Sequence, residues 1–213
     1  MVISLQNVLP EPLNDMQHPE WSFWAHGNVN LIGQNTYVSA KSGKGKSTFL
    51  QMIFGLRKDY QGNIHFDGRN IRDISFDEWS SIRQAKLTMV FQDLRLFDQL
   101  SVWENIKLKN EIFQTFSEAE VLSFADHVGI KKQWNQITST LSMGQKQRVA
   151  ILRALCQPFE YILLDEPFAH LDKNTASCCF EIIKDSCSKQ RAGIILSGLE
   201  DNELPDFTQN IMI

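Results

Sequence analysis

The run Ala40-Lys41-Ser42-Gly43-Lys44-Gly45-Lys46-Ser47-Thr48 holds the densest chemistry in the sequence. It follows the apolar stretch Tyr37-Val38-Ser39 and precedes a helix-compatible run, Phe49 to Leu56. Two glycines let the backbone bend so that its N–H groups face one point, and the following helix N-terminus adds positive potential there. That is the chemistry of polyphosphate binding. Lys46 would bridge the β- and γ-phosphates, and the Ser47 hydroxyl would ligate Mg²⁺. Such a loop usually opens with glycine; Ala40 stands there, which costs about 1 kcal/mol if the position needs φ > 0 and little otherwise.

A second chemical segment is Tyr161-Ile162-Leu163-Leu164-Asp165-Glu166-Pro167, an apolar strand ending in two acids. Ligands of open α/β sheets bind at strand C-termini. Asp165 is placed to hold Mg²⁺ through water, and Glu166 to polarise the water that attacks a γ-phosphate, a role for a carboxylate near the metal but not on it. A third is Leu141-Ser142-Met143-Gly144-Gln145-Lys146-Gln147-Arg148. Ser142 and Gln145 have capping-box spacing, and Val149, Leu152 and Cys156 fall on one face of the helix that follows. Such a start presents free N–H groups to an anion, although alone it reads as a capped structural helix.

To position these groups the chain needs strands that end at one edge. Short apolar runs at 37–39, 87–91, 161–164 and 193–197 alternate with longer amphipathic stretches, which predicts an α/β fold with a mostly parallel sheet and flanking helices. Val2 to Leu5 and Asn63 to Phe66 suggest an antiparallel layer, the latter running into the Asp67-Gly68 turn signal. Residues 92–156 hold no convincing strand and read as an inserted helical lobe within one domain, 1–213, whose core is 1–91 and 157–213. Pro10, Pro12 and Pro19 mark an irregular loop, and Trp21, Phe23 and Trp24 read as packing against the sheet.

Composition narrows the function classes. The 213 residues suit one domain with an embedded lobe, and 43% hydrophobic with 22% charged residues indicates a folding chain. A net charge of −4 argues against general affinity for nucleic acid or anionic lipid. No apolar run nears the roughly 20 residues a bilayer crossing needs, and MVISLQNVLPEP lacks the marks of a secretory signal, so the chain is expected in the cytoplasm. Cys156, Cys178, Cys179 and Cys187 have neither zinc nor disulfide spacing and read as reduced filler.

Taken in order, the loop at 40–48, Phe91-Gln92-Asp93, LSMGQ at 141–145, YILLDEP at 161–167 and Ala169-His170-Leu171-Asp172 resemble the ATP-binding cassette (ABC) ATPases. Gly62 to Gly68 and the segment 91–105 look most like the lipoprotein-releasing, macrolide-exporting and cell-division group. The resemblance implies a P-loop NTPase core, ATP and Mg²⁺ as cofactors, and a second cassette and an integral membrane permease as partners, with no nucleic acid. It implies that Gln92 touches Mg²⁺ and the attacking water and links the site to the permease through the helical lobe. Ser142, Gly144 and Gln145 would close over the γ-phosphate of a second subunit's ATP, and Asp172 would cross that interface. Lys46, Gln92 and Glu166 would be the catalytic group, with Ser47, Gln92 and Asp165 at the metal.

The chain departs from the family at three points. Met143 replaces the first glycine of the LSGGQ pattern; Gly198 stands where the family has a histidine on the γ-phosphate; and the region of Met16-Gln17-His18 lacks the aromatic that stacks on adenine, leaving Trp21 or Trp24 as candidates. Losing one transition-state contact costs on the order of 10²–10³ in rate, so a histidine restored at 198 is expected to raise turnover. The leading expectation is a transport-coupled ATPase working as a dimer at the cytoplasmic face of the membrane. The alternative is a weakly or non-hydrolysing, ATP-dependent dimerisation switch, the degenerate half of a heterodimer or a regulator of a membrane complex. A nucleic-acid-associated cassette fits poorly, and the guanine-reading Asn-Lys-x-Asp motif of small GTPases is missing.

Overall fold

A computed structural model describes residues 1–33, 35–199 and 207–213. The strands are β1 (Val2–Pro10), β2 (Val29–Ile32), β3 (Thr36–Ser39), β4 (Tyr60–Phe66), β5 (Arg69–Asn70), β6 (Leu87–Val90), β7 (Tyr161–Asp165), β8 (Gly193–Gly198) and β9 (Gln209–Met212). The helices are α1 (Phe23–His26), α2 (Lys46–Ile53), α3 (Phe76–Ala85), α4 (Val102–Phe113), α5 (Glu118–His127), α6 (Met143–Leu155) and α7 (Lys173–Gln190).

Two sheets form. The first is antiparallel in the order β2-β1-β4-β5; the second runs β6-β7-β8-β3-β9, with every pairing parallel. Helices cover both faces of the parallel sheet, so β7 is buried at all five positions and reads as an unbroken apolar run rather than an alternating one. β1 is longer than its Val2–Leu5 stretch: it continues to Pro10 through an irregularity between Gln6 and Leu9, where Asn7 takes φ 52°. Phe91, expected as the last residue of a strand, lies just beyond β6. Asp67 and Gly68 both take positive φ, as a tight hairpin turn requires.

The core has two parts, one on each face of the parallel sheet. One gathers α4, α5, α6 and α7 around Ile162, Leu164, Ile194 and Leu196. The other packs α2, α3 and the antiparallel sheet against Val38, Leu163 and Ile195. Within 102–155 the regular elements are helical, and α6 is tied to the sheet where the Thr88 hydroxyl donates to Ala154 O at 2.9 Å. The C-terminal ends of β3, β7 and β8 therefore share one edge, and the segments at 40–48 and 161–167 are built on it. Among the described residues no helix is long and apolar enough to cross a membrane.

Candidate nucleotide site

The loop after β3 is shaped by its glycines. Gly43 (φ 77°) and Gly45 (φ 103°) occupy the left-handed region, whereas Ala40, fully buried, is not among the positive-φ residues. The alanine in the opening position therefore carries no backbone penalty. Gly45 is the N-cap of α2 and supplies no side-chain cap, so the first N–H groups of the helix remain directed at the loop. The loop is braced from outside: the Trp24 indole N–H donates to Lys44 O at 3.0 Å, and a Cβ at Gly45 would stand 3.0 Å from Leu13 and 3.2 Å from Trp24.

Lys46 is buried, with Nζ donating to Ala40 O at 2.8 Å and ion-paired with Glu166 Oε1 at 3.1 Å. The P-loop cation and the carboxylate after β7 thus meet at one point. The Ser47 hydroxyl donates to Gln92 Oε1 at 3.4 Å, with Asp165 close enough for its carboxyl to feel that hydroxyl. Asp165 is buried, and desolvation raises its pKa above the ordinary carboxylate value against the opposing pull of the Ser47 and Ser197 hydroxyls. Glu166 itself takes φ 48°, a conformation costly for a residue with a side chain, of the kind that collects at functional sites.

Sequence reasoning missed Ser197. Its hydroxyl donates to Asp165 Oδ1 at 2.8 Å and accepts from Glu166 N at 3.2 Å, so one side chain orients both acids. The signal is the register Asp165↔Ser197, which exists only once β7 and β8 are known to be neighbours.

Ser142 caps α6 in a full capping box: Gln145 N donates to Ser142 Oγ at 3.3 Å, and Ser142 N to Gln145 Oε1 at 2.9 Å. Gly144 is required by close approach, since a Cβ there would stand 2.7 Å from His170 O. Met143 projects into solvent. Among the described residues no hydrogen bond or ion pair joins Ser142, Gly144 or Gln145 to residues 40–48. Asp172 is the N-cap of α7, accepting from Thr175 N at 3.0 Å, and that bond lowers its pKa.

Two expectations are corrected. The first concerns Gly198, where a Cβ would stand 2.2 Å from the hydroxyl of Tyr37, which donates to Leu199 O at 2.7 Å. A histidine at 198 alone would therefore have to displace the Tyr37 phenol, which fills the space from β3. The second concerns the aromatic cluster. Phe23 and Trp24 are buried as expected, but Trp21 is 57% exposed and lines a cavity of about 630 Å³ with Leu13, Met16, Lys41, Lys44 and Met212.

The donor set fits its ligands. Left-handed glycines, an uncapped helix start and a buried lysine suit a polyphosphate. A desolvated carboxylate beside a hydroxyl and an amide oxygen suits a hard divalent cation, which takes its remaining ligands from phosphate and water. Fold and loop together define a phosphate-loop nucleotide-binding protein. A family model described as "ABC transporter" matches residues 23–169. The lipoprotein-releasing system ATP-binding protein LolD of Buchnera aphidicola subsp. Schizaphis graminum (strain Sg) is 38% identical over 154 residues, 71% of this chain and 67% of that protein. The cell division ATP-binding protein FtsE of Bacillus subtilis (strain 168) is 33% identical over 155 residues, 71% of this chain and 66% of that protein. Among solved structures, a dimeric, post-hydrolysis ATP-binding cassette bound to ADP and Pi superimposes with a TM-score of 0.72 at 29% identity, covering 92% of this chain and 87% of that one. The chain belongs to the ABC transporter family. Its part in that family is the ATP-binding subunit, an ATPase that uses ATP with Mg²⁺.

Proposed function

We propose that the chain binds MgATP on residues 40–48 and hydrolyses it in a head-to-tail pair of cassettes, driving a separate membrane permease from the cytoplasmic face. The observation that carries this reading is a division of labour. Lys46, Ser47, Gln92, Asp165 and Glu166 converge on one point, whereas Ser142, Gly144 and Gln145 form a capped, anion-attracting helix start without a bond to it. A second copy placed head to tail would bring that helix start over the γ-phosphate.

In this reading the backbone N–H groups of Lys41, Ser42, Gly43, Lys44 and Gly45, with those of Lys46, Ser47 and Thr48, cradle the phosphates. Lys46 turns from Glu166 to the β- and γ-oxygens, which frees the carboxylate to take a proton from the attacking water. Ser47, Gln92 and Asp165 hold Mg²⁺, which when bound neutralises charge developing on the phosphate oxygens. The base enters the cavity beside Lys41 and Lys44 and lies on Trp21. Trp24 also lines the cavity, but its ring is buried against Phe23 and Phe49, which favours Trp21 as the platform. Residues 92–156 act as the lobe through which the permease is engaged.

The test is Glu166→Gln, which is expected to keep ATP affinity, stop turnover and trap a dimer in ATP and Mg²⁺ on size-exclusion chromatography. A variant that stays monomeric while saturated with ATP contradicts the paired site.

A further inference from the structure

The loop that follows Gln92 is held in an unusual backbone. Leu94 (φ 60°) and Arg95 (φ 46°) are consecutive non-glycine residues in the left-handed region. Such conformations are costly and persist only where surrounding structure over-determines them. Leu94 is buried in the core with Val90, Val102 and Ile106. Arg95 lies over the Phe91 ring, 3.8 Å from its centroid, and 3.4 Å from Asp93. Two local backbone bonds close the turn, Leu94 N donating to Phe91 O at 2.9 Å and Arg95 N to Asp93 O at 2.7 Å, and a further restraint comes from far along the chain: Arg153 Nη2, in the last turn of α6, donates to Leu94 O at 2.8 Å.

We infer that Arg153 is a positioning residue, a latch whose bond to the Leu94 carbonyl holds the strained turn and thereby keeps Gln92 aimed at Ser47. Burial pushes the Arg153 guanidinium down to about 10, the neighbouring Lys109 is a like charge, and among the described residues Arg153 enters no ion pair. A desolvated cation on a neutral carbonyl is a poor device for stability, because burial costs more than such a bond returns. It is a good device for fixing geometry. It also links two parts of the proposed paired site, since α6 is capped by Ser142 and carries in its last turn the residue bonded to the Gln92 loop.

This inference rests on the proposed role of Gln92 at the metal, so the experiment separates the two. Steady-state hydrolysis is measured against Mg²⁺ concentration for wild type, Gln92→Ala, Arg153→Met, Arg95→Gly and Arg153→Met/Arg95→Gly, with thermal melts to confirm folding. Arg153→Met is expected to lower kcat roughly tenfold and raise the Mg²⁺ concentration for half-maximal rate, with ATP affinity by fluorescent-nucleotide titration unchanged. Arg95→Gly removes a left-handed side chain from an exposed position, so the double variant is expected to recover most of that loss, which no purely structural role for Arg153 explains. Arg153→Lys keeps the buried cation without the planar donor; it is expected to shift both quantities in the same direction by less, and it carries the test if the Met variant does not fold. Unchanged kcat and Mg²⁺ dependence in the folded Arg153 variant, or no recovery in the double variant, overturns the latch. If Gln92→Ala leaves the Mg²⁺ dependence untouched, the reading of Gln92 fails instead.

Discussion

A histidine placed at position 198 should fail to help this enzyme, and the reason is measurable. Its Cβ would stand 2.2, 2.9 and 3.1 Å from Oη, Cζ and Cε2 of Tyr37. That ring is buried, its centroid 5.6 Å from that of Phe207, and its hydroxyl is bonded to Leu199 O. Overpacking of this kind costs about 1–3 kcal/mol, and the lost hydrogen bond adds about 1 kcal/mol. The Gly198→His protein is therefore expected to be destabilised by about 2–4 kcal/mol, roughly 5–15 °C in Tm for a domain of this size. Turnover should not rise. In Tyr37→Ser/Gly198→His the imidazole occupies the volume the ring leaves, so the two costs are expected to combine to less than their sum, by on the order of 1 kcal/mol. The double variant should also hydrolyse ATP faster than Tyr37→Ser alone. Thermal melts and phosphate release on the four proteins give the answer. A single Gly198→His variant that melts with wild type and turns over faster would refute the packing argument.

Two further outcomes follow from the site. Trp21→Ala should raise the KM for ATP about tenfold while leaving kcat alone, since stacking on an aromatic contributes about 1–3 kcal/mol per base; an unchanged KM and no quenching of tryptophan fluorescence by nucleotide would remove Trp21 from the base site. Asp165→Asn should abolish turnover yet raise the Tm of the nucleotide-free protein at pH 7. Burial raises the Asp165 pKa, so its contribution favours folding below the unfolded value of about 3.9 and is lost as pH rises through the folded value. The gain should accordingly shrink at pH 4, and a lower Tm at pH 7 would show that the carboxylate is stabilised by its neighbours.

Much of this architecture is visible in one dimension because its signals are local. The strand at 161–165 reads as buried on both faces, Ser142 and Gln145 read as a capping box, and Gly43 and Gly45 take the left-handed backbone their loop requires. What stays hidden depends on pairings between distant segments. Ser197 reaches Asp165 only because β7 and β8 are neighbours, and Tyr37 meets Gly198 only because β3 lies on the other side of β8 in the register Ser39↔Gly198. Composition placed Trp21 with its apolar neighbours, whereas the turn before α1 leaves it on a cavity rim. The left-handed pair at 94–95 has no glycine to announce it, and one of the bonds that hold it comes from Arg153, far along the chain.

The central claim is that two copies complete one ATPase site. Phosphate release from MgATP, measured across a wide range of protein concentration with Lys46→Ala and Glu166→Gln as controls, tests it most directly. Turnover should rise faster than linearly with concentration and vanish in both variants. A rate strictly proportional to concentration, or one that survives loss of Glu166, would contradict it.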